Sequence, residues 1–287
     1  MVAHETLSRR SVGSDLRAMG AVAGKELTIA RRYPSFLIAV LVWPVLLPLA
    51  YILGAKALAG PHGGSLPAFE AATGTTDYVG FIVIGTLLWG WLNMTLWDVG
   101  FFIRNEQMRG TLESNWLCPV PRGALLIGAT LTKLALSLLF LVISIVEFRL
   151  LLGVNLLQGN LALTLLIIAL IIPSIYGLGI AFASLVIRFK EANAMVFLVR
   201  GVFMIFAGMT FPIAVLPGWM QAVAMALPLT YAIAAMRAVV LNGAGLADIR
   251  GDLLALVAFG VALPIVGYLA FGHMARRARR HGDLGQY

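Results

Sequence analysis

The sequence predicts an all-α, polytopic membrane protein with six transmembrane helices. Three observations predict it. Of 287 residues, 60% are hydrophobic and only 12% are charged, too few charges to keep the surface of a soluble domain wet. Six apolar runs, at roughly 35–58, 79–103, 131–152, 161–187, 193–212 and 253–274, each reach the ~20 residues that cross a hydrocarbon core. Lys and Arg gather between alternate runs, as in chains oriented with positive charge inside. Backbone groups in hydrocarbon find no water, so helix is the economical state for all six runs.

Residues 1–34 form a polar N-terminus carrying Arg9, Arg10, Arg17, Lys25, Arg31 and Arg32. Within it, 14–32 suits an interfacial helix. Ser14 fits an N-cap, and Leu16, Met19, Ala23, Leu27 and Ala30 share one face. Such a helix rests in the headgroup layer, apolar side down, with Lys25 and Glu26 off the stripe. Reading the start as a cleavable signal, with Ala57-Leu58-Ala59 as the cut site, fails because its charged and apolar regions are both too long. Residues 35–275 form the transmembrane domain. Within span one, Pro44 and Pro48 are four apart and are expected to bend the helix. Residues 276–287 form a basic cytoplasmic tail whose Arg276, Arg277, Arg279 and Arg280 suit the anionic lipids of an inner leaflet.

Topology follows from charge. The N-terminus, 104–122, 188–190 and 273–287 hold 15 of the 21 Lys and Arg residues, and 60–77 and 153–160 hold none. Both termini therefore lie inside. Two exceptions, Arg237 and Arg250, fall in the segment 212–252. Residues 213–241 are mostly apolar, but Pro212, Pro217, Gly218 and Pro228 cut them into pieces too short to cross. Two arrangements fit: helices lying on the outer surface, or a re-entrant hairpin that dips in and returns.

The net charge of +8 is taken up by these inner positions, so nucleic acid is not an expected partner. A single cysteine, Cys118, excludes an internal disulfide. His4, His62, His273 and His281 show no metal-ligand spacing. Ionisable groups near the bilayer are few: Asp98 and Lys133 at inner ends of spans, Glu147 and Arg149 at an outer end. They read as interfacial groups that snorkel. No paired-carboxylate or serine–histidine arrangement occurs. Gly123 to Thr130 misses a phosphate-binding loop because Ala129 stands where its lysine belongs.

The loop 104–122 is the longest inner loop. It is helix-compatible from Arg104 to Leu117 and is stopped by Pro119 and Pro121. It mixes Arg104, Glu106, Arg109 and Glu113 with Leu112, Trp116 and Leu117. A short amphipathic helix of this kind suits a groove on a soluble partner; a plain connecting helix is the alternative.

Two stretches resemble the type-2 permeases of ABC exporters. One is Glu106, Gly110, Thr111, Leu112, Glu113, Pro119 and Arg122. The other is Phe211-Pro212, Leu216-Pro217-Gly218-Trp219, Pro228-Leu229-Thr230 and Arg237. The resemblance implies that Glu106, Arg109, Gly110, Thr111, Leu112 and Glu113 couple to an ATPase, and that Pro212, Pro217, Trp219, Pro228 and Arg237 belong to an outer re-entrant hairpin. It implies an assembly of two permeases, identical or paralogous, with two ABC ATPase subunits. ATP and Mg then belong to the ATPase, and this chain carries no cofactor. It also implies a bacterial or archaeal cell membrane, and a substrate path lined by spans one, two and five. On span two, Trp89, Asn93 and Trp97 share one face. On span five, Phe197, Met204 and Phe211 repeat every seven residues. Such apolar walls suit an amphiphilic drug, antibiotic or lipid, with a lipid-linked polysaccharide as the alternative cargo. Rival classes are an ion-coupled carrier using Asp98 or Glu147, and a lipid-modifying enzyme using Asp98 or His273.

Overall fold

A computed structural model of the chain describes residues 12–32, 34–59, 66–111, 114, 122–188 and 192–281. Among these residues every regular element is helical. They form α1 (Val12–Arg32), α2 (Pro34–Ala59), α3 (Leu66–Thr73), α4 (Tyr78–Asp98), α5 (Phe102–Met108), α6 (Arg122–Leu152), α7 (Leu161–Arg188), α8 (Ala192–Phe206), α9 (Gly218–Met225), α10 (Pro228–Asn242) and α11 (Arg250–His281). Five of them, α2, α4, α6, α7 and α11, are long and apolar enough to cross a membrane. The count reaches six if α9 and α10, which meet at 92°, are taken as one bent span.

Three expectations need correction. The run 193–212 does not stay helical: α8 ends at Phe206, and its 15 residues measure ~22 Å. Gly208 adopts φ 68°, the left-handed conformation that ends helices, although the apolar run continues past it. The run 79–103 is also interrupted, since α4 stops at Asp98 and a turn separates it from α5. The expected helix from Arg104 to Leu117 ends at Met108, where Gly110 at φ 68° turns the chain. Leu112, Glu113, Trp116, Leu117, Pro119 and Pro121 lie outside the described residues. In addition, the segment 60–77 contains α3, and α11 runs on through the basic tail to His281.

Burial separates the spans where hydropathy does not. In α4, 83% of the span is buried, against 17% for α2 and α11, 28% for α6 and 44% for α7. A helix that is apolar all round belongs in a bundle interior, and α4 contacts α2, α6, α7, α8 and α10. Its start is fixed by Asp77, whose Oδ1 accepts from the Gly80 amide at 2.8 Å. Between its ends, Trp91 Nε1 donates to Ser137 Oγ at 3.0 Å, and Ser137 Oγ lies 2.7 Å from Tyr176 Oη. These contacts tie α4 to α6 and α7 and satisfy the Trp91, Ser137 and Tyr176 polar groups.

The N-terminal helix α1 lies along α6, where a Cβ at Gly128 would come within 2.8 Å of the Met19 carbonyl oxygen. Met19 is on the apolar stripe, so part of that stripe faces protein. α10 is no surface helix: Leu229, Ala232, Ala235 and Val239 are fully buried against α4, α7 and α11. α9 remains outside that core, with Ala224 its one buried residue.

α7 and α11 run parallel and pack through small residues, as bilayer helices do when their backbones approach closely. A side chain at Gly177 would clash with the backbone of Leu263 and Pro264, and one at Gly267 with the Gly177 carbonyl. Gly177→Ala is therefore expected to cost about 1–3 kcal/mol by overpacking. Gly251→Ala, with no neighbouring atom within 4 Å, should cost nothing. Thermal unfolding in detergent, followed by tryptophan fluorescence, checks this; equal midpoints for the two variants would contradict the packing.

Candidate functional site

Short-range chemistry explains the spacing of Glu106, Gly110 and Thr111. With Gly110 left-handed at the end of α5, the Thr111 amide reaches back to the Glu106 carbonyl at 3.0 Å, the long bond of a Schellman cap. Only glycine takes that φ freely. The cap places the Thr111 hydroxyl over the same residue's side chain, where Oγ1 donates to Glu106 Oε2 at 2.7 Å. On the other oxygen, Lys25 Nζ of α1 donates to Oε1 at 2.7 Å. Arg109 Nη1 stands 3.8 Å from Oε1. The Glu106 side chain is only 2% exposed. Burial alone would raise its proton affinity, but hydrogen bonds from Lys25 and Thr111 and the charges of Lys25 and Arg109 outweigh it, holding the carboxyl below its ordinary range.

One turn back, Lys133 Nζ of α6 pairs with Asp98 Oδ1 at 3.3 Å, both side chains 22% exposed. The two groups read as separate snorkelling charges thus meet. One ion pair thus ties α1 to α5, and the other ties the end of α4 to α6.

At the far end of α4 is a second node. Arg237 of α10 is 9% exposed. Its Nε and Nη2 donate to the Phe81 carbonyl at 3.1 and 2.9 Å, Nη1 to Gly208 O at 2.8 Å, and Nη2 to Met209 O at 2.7 Å. The guanidinium also lies 3.3 Å from the Phe81 ring centroid. Because α8 has ended, the carbonyls of Gly208 and Met209 lack helical partners, and a cation is the favourable group for them. Any side chain at Gly85 would strike the Met209 carbonyl and the Arg237 guanidinium, so this crossing requires glycine. Arg237 therefore ties α10 to the start of α4 and to the chain just after α8. Pro212 and Pro217 stand just before short helical turns, and Pro228 opens α10 at a position suited to it. Trp219 is 66% exposed, with its ring 6.2 Å from Phe206.

The expected path residues are brought together only in part. Trp89 is 1% exposed, and its Nε1 donates to the Arg200 carbonyl of α8 at 3.1 Å, so it is a seam residue between α4 and α8. Trp97 and Phe197 form an edge-on pair at 5.9 Å. Tyr51 Oη of α2 donates to Met204 Sδ at 3.8 Å. Phe211 does not continue the seven-residue register, because α8 ends at Phe206. Asn93 is buried, and its Oδ1 has no hydrogen-bond partner. Sequence reasoning missed Lys25, dismissed as off-stripe, and Arg200, a cation inside an apolar run. The rule that an intramembrane charge marks a site would have found Arg200.

These features define a multi-pass helical membrane protein whose central span is anchored by buried charged groups at both ends. The ABC-2 type transporter family model matches residues 17–241, from α1 to the end of α10. The chain belongs to that family. It is thus a permease, a membrane component of a transporter that works with ABC ATPase subunits. No curated protein matches the sequence.

The Glu106 node has a signed pH dependence. A carboxyl with a depressed folded value contributes stability above its unfolded value and loses it as pH falls through the folded one. Glu106→Gln is expected to be about 1.5 kcal/mol less stable at neutral pH, a low figure for a charged hydrogen bond because Lys25 is partly exposed. The gap should close on acidification below the ordinary Glu range. Parallel melting curves from neutral to acid check it; a gap independent of pH would contradict the assignment.

Proposed function

We propose that this permease is the membrane subunit of an ATP-driven exporter of amphiphilic small molecules, with ATP and Mg bound by a separate ATPase subunit. The working assembly is two permeases, identical or paralogous, with two ATPases, in a bacterial or archaeal cell membrane. Both termini, α1 and the Glu106 node face the cytoplasm, where most of the Lys and Arg outside the spans gather.

The observation that carries this reading is the capped Glu106 node. A loop meant only to connect two spans has no need of a buried carboxylate held by three residues from two segments. A rigid corner is what a motor needs to push on. ATP binding changes the ATPase pair, and it moves the permease only if the ATPase favours one permease state over the other. Force on α5 and α1 passes into α4. At the other end of α4, Arg237 joins it to the end of α8 and to α10. The 92° bend between α9 and α10 and the burial of α10 support a re-entrant hairpin that opens or closes the outer exit. Glu113 and Leu112 complete the ATPase contact. The dry spans favour a drug, antibiotic or lipid over a lipid-linked polysaccharide.

One observation favours the ion-coupled reading: Glu147 Oε2 is buried without a partner. Asp98, the alternative coupling group for that reading, is paired with Lys133.

Proline cannot adopt the φ of Gly110. In the assembled complex, Gly110→Pro is expected to insert normally yet lose substrate-stimulated ATP hydrolysis and transport by tenfold or more, whereas Gly251→Ala keeps both. Hydrolysis and uptake in proteoliposomes check this. Full stimulation in Gly110→Pro, or ion-gradient transport by the purified chain alone, would overturn the exporter reading.

A further inference from the structure

Arg200 is the second arginine inside the bundle, and its surroundings are the opposite of those around Arg237. It lies in the middle of α8, with Ala192 and Phe206 as the helix ends. Its neighbour across the seam, Trp89, lies near the middle of α4, between Tyr78 and Asp98. At 1.5 Å per residue, Trp89 is ~13–17 Å from either end of α4, and half of a ~30 Å hydrocarbon core is the same distance. Arg200 therefore sits near the midplane.

A charge at that depth requires a partner. Arg237 has four hydrogen bonds. The guanidinium of Arg200 has ring faces only: it lies 5.4 Å from the Trp89 ring centroid and 5.1 Å from that of Phe197. Attraction to ring faces gives the N–H donors no lone-pair acceptor. Among the described residues no carboxylate or carbonyl accepts from them. The side chain is half-buried. Trp89 Nε1 bonds the Arg200 carbonyl at 3.1 Å, so the residue is fixed at this level of the seam.

A second unmet polar group lies on the same face of α4, one turn from Trp89. Asn93 falls on α4 between the Trp89–Arg200 contact and the Trp97–Phe197 contact. It is 9% exposed, and its Oδ1 lacks a partner. Rotation of the amide exchanges this oxygen for an NH2 donor. A fixed fork of donors, a neighbouring amide and aromatic walls form a receptor for a planar or tetrahedral oxyanion attached to an apolar body.

We infer that Arg200, with Asn93, is an intramembrane anion site that takes the phosphate or carboxylate head of an amphiphile, its apolar part lying along Trp97 and Phe197. That this amphiphile is the cargo rests on the exporter reading; the binding site itself does not.

The probe is dodecyl phosphate, compared with neutral dodecanol and cationic dodecyltrimethylammonium. Each is titrated against the complex in zwitterionic nanodiscs without nucleotide, and quenching of tryptophan fluorescence is read. The wild type should prefer dodecyl phosphate at least tenfold. Arg200→Gln should lose that preference, and Arg200→Lys should keep part of it; Lys also serves if Gln fails to fold. Asn93→Leu should weaken binding of the phosphate more than binding of dodecanol. Equal affinities in wild type and Arg200→Gln overturn the site. So does a wild type that ignores dodecyl phosphate while Arg200→Gln separates the permeases, which assigns the guanidinium to a second copy.

Two further arms identify the source of the head group. Competition by phosphatidylglycerol in the disc, without uptake, assigns a resident lipid. ATP-dependent accumulation of dodecyl phosphate in inside-out proteoliposomes assigns cargo. Binding without ATP-dependent uptake in either orientation keeps the site and counts against the exporter reading, so the two fail separately.

Discussion

A guanidinium buried in a membrane bundle has no water to turn to, and Arg237 takes its acceptors from three backbone carbonyls. Much of the outer half of the fold follows from this. α8 must end early, because a continuing helix would use the carbonyls of Gly208 and Met209 itself. Gly85 must lack a side chain, because those carbonyls pass against α4 there. α10 must enter the bundle to deliver the arginine, so its apolar residues Leu229, Ala232 and Val239 are buried although prolines interrupt the segment before it. A Lys could hold one carbonyl but not the set, since only Arg presents a planar fork of donors.

The inner end of the same span is held by a different device that meets the same need. Glu106 is a buried carboxylate whose donors come from a backbone cap and from a helix 81 positions away in sequence. Between the two nodes, α4 has a largely packed aromatic and aliphatic surface, with the polar chain Trp91–Ser137–Tyr176 at mid-height. A helix buried on all sides and anchored at both ends has few ways to move except as a unit. Packed cores switch between discrete arrangements rather than deform continuously. On the proposed exporter reading, α4 would be the physical link between a cytoplasmic motor and an outer exit.

Much of this architecture was legible in the sequence, because hydrocarbon thickness and backbone satisfaction leave few choices. Run lengths predicted the long helices α2, α4, α6, α7 and α11. What was not legible depended on partners distant in the chain. α4 and α11 are similarly apolar, yet one is central and the other peripheral, because residue type does not record how many neighbours a helix has. The early end of α8 was hidden because Gly208 lies within an apolar run that continues to Phe211. Arg237 read as an outer-loop exception to charge topology; only three-dimensional contact shows that it caps another helix. Glu106, Gly110 and Thr111 stood at cap spacing in plain view, but Lys25 did not, since nothing local in α1 points to Glu106.

The proposed exporter reading makes one central claim: the Arg237 node governs how well ATP turnover at the Glu106 end of α4 is used. Transport stoichiometry of Arg237→Lys in the reconstituted complex tests it most directly, because the change lies a full span away from any ATPase contact. We expect a folded complex that still hydrolyses ATP but moves roughly tenfold less substrate per ATP, the size of a ~1.4 kcal/mol coupling term. A normally folded Arg237→Lys complex with unaltered substrate moved per ATP would contradict the account of α4 as the connecting rod.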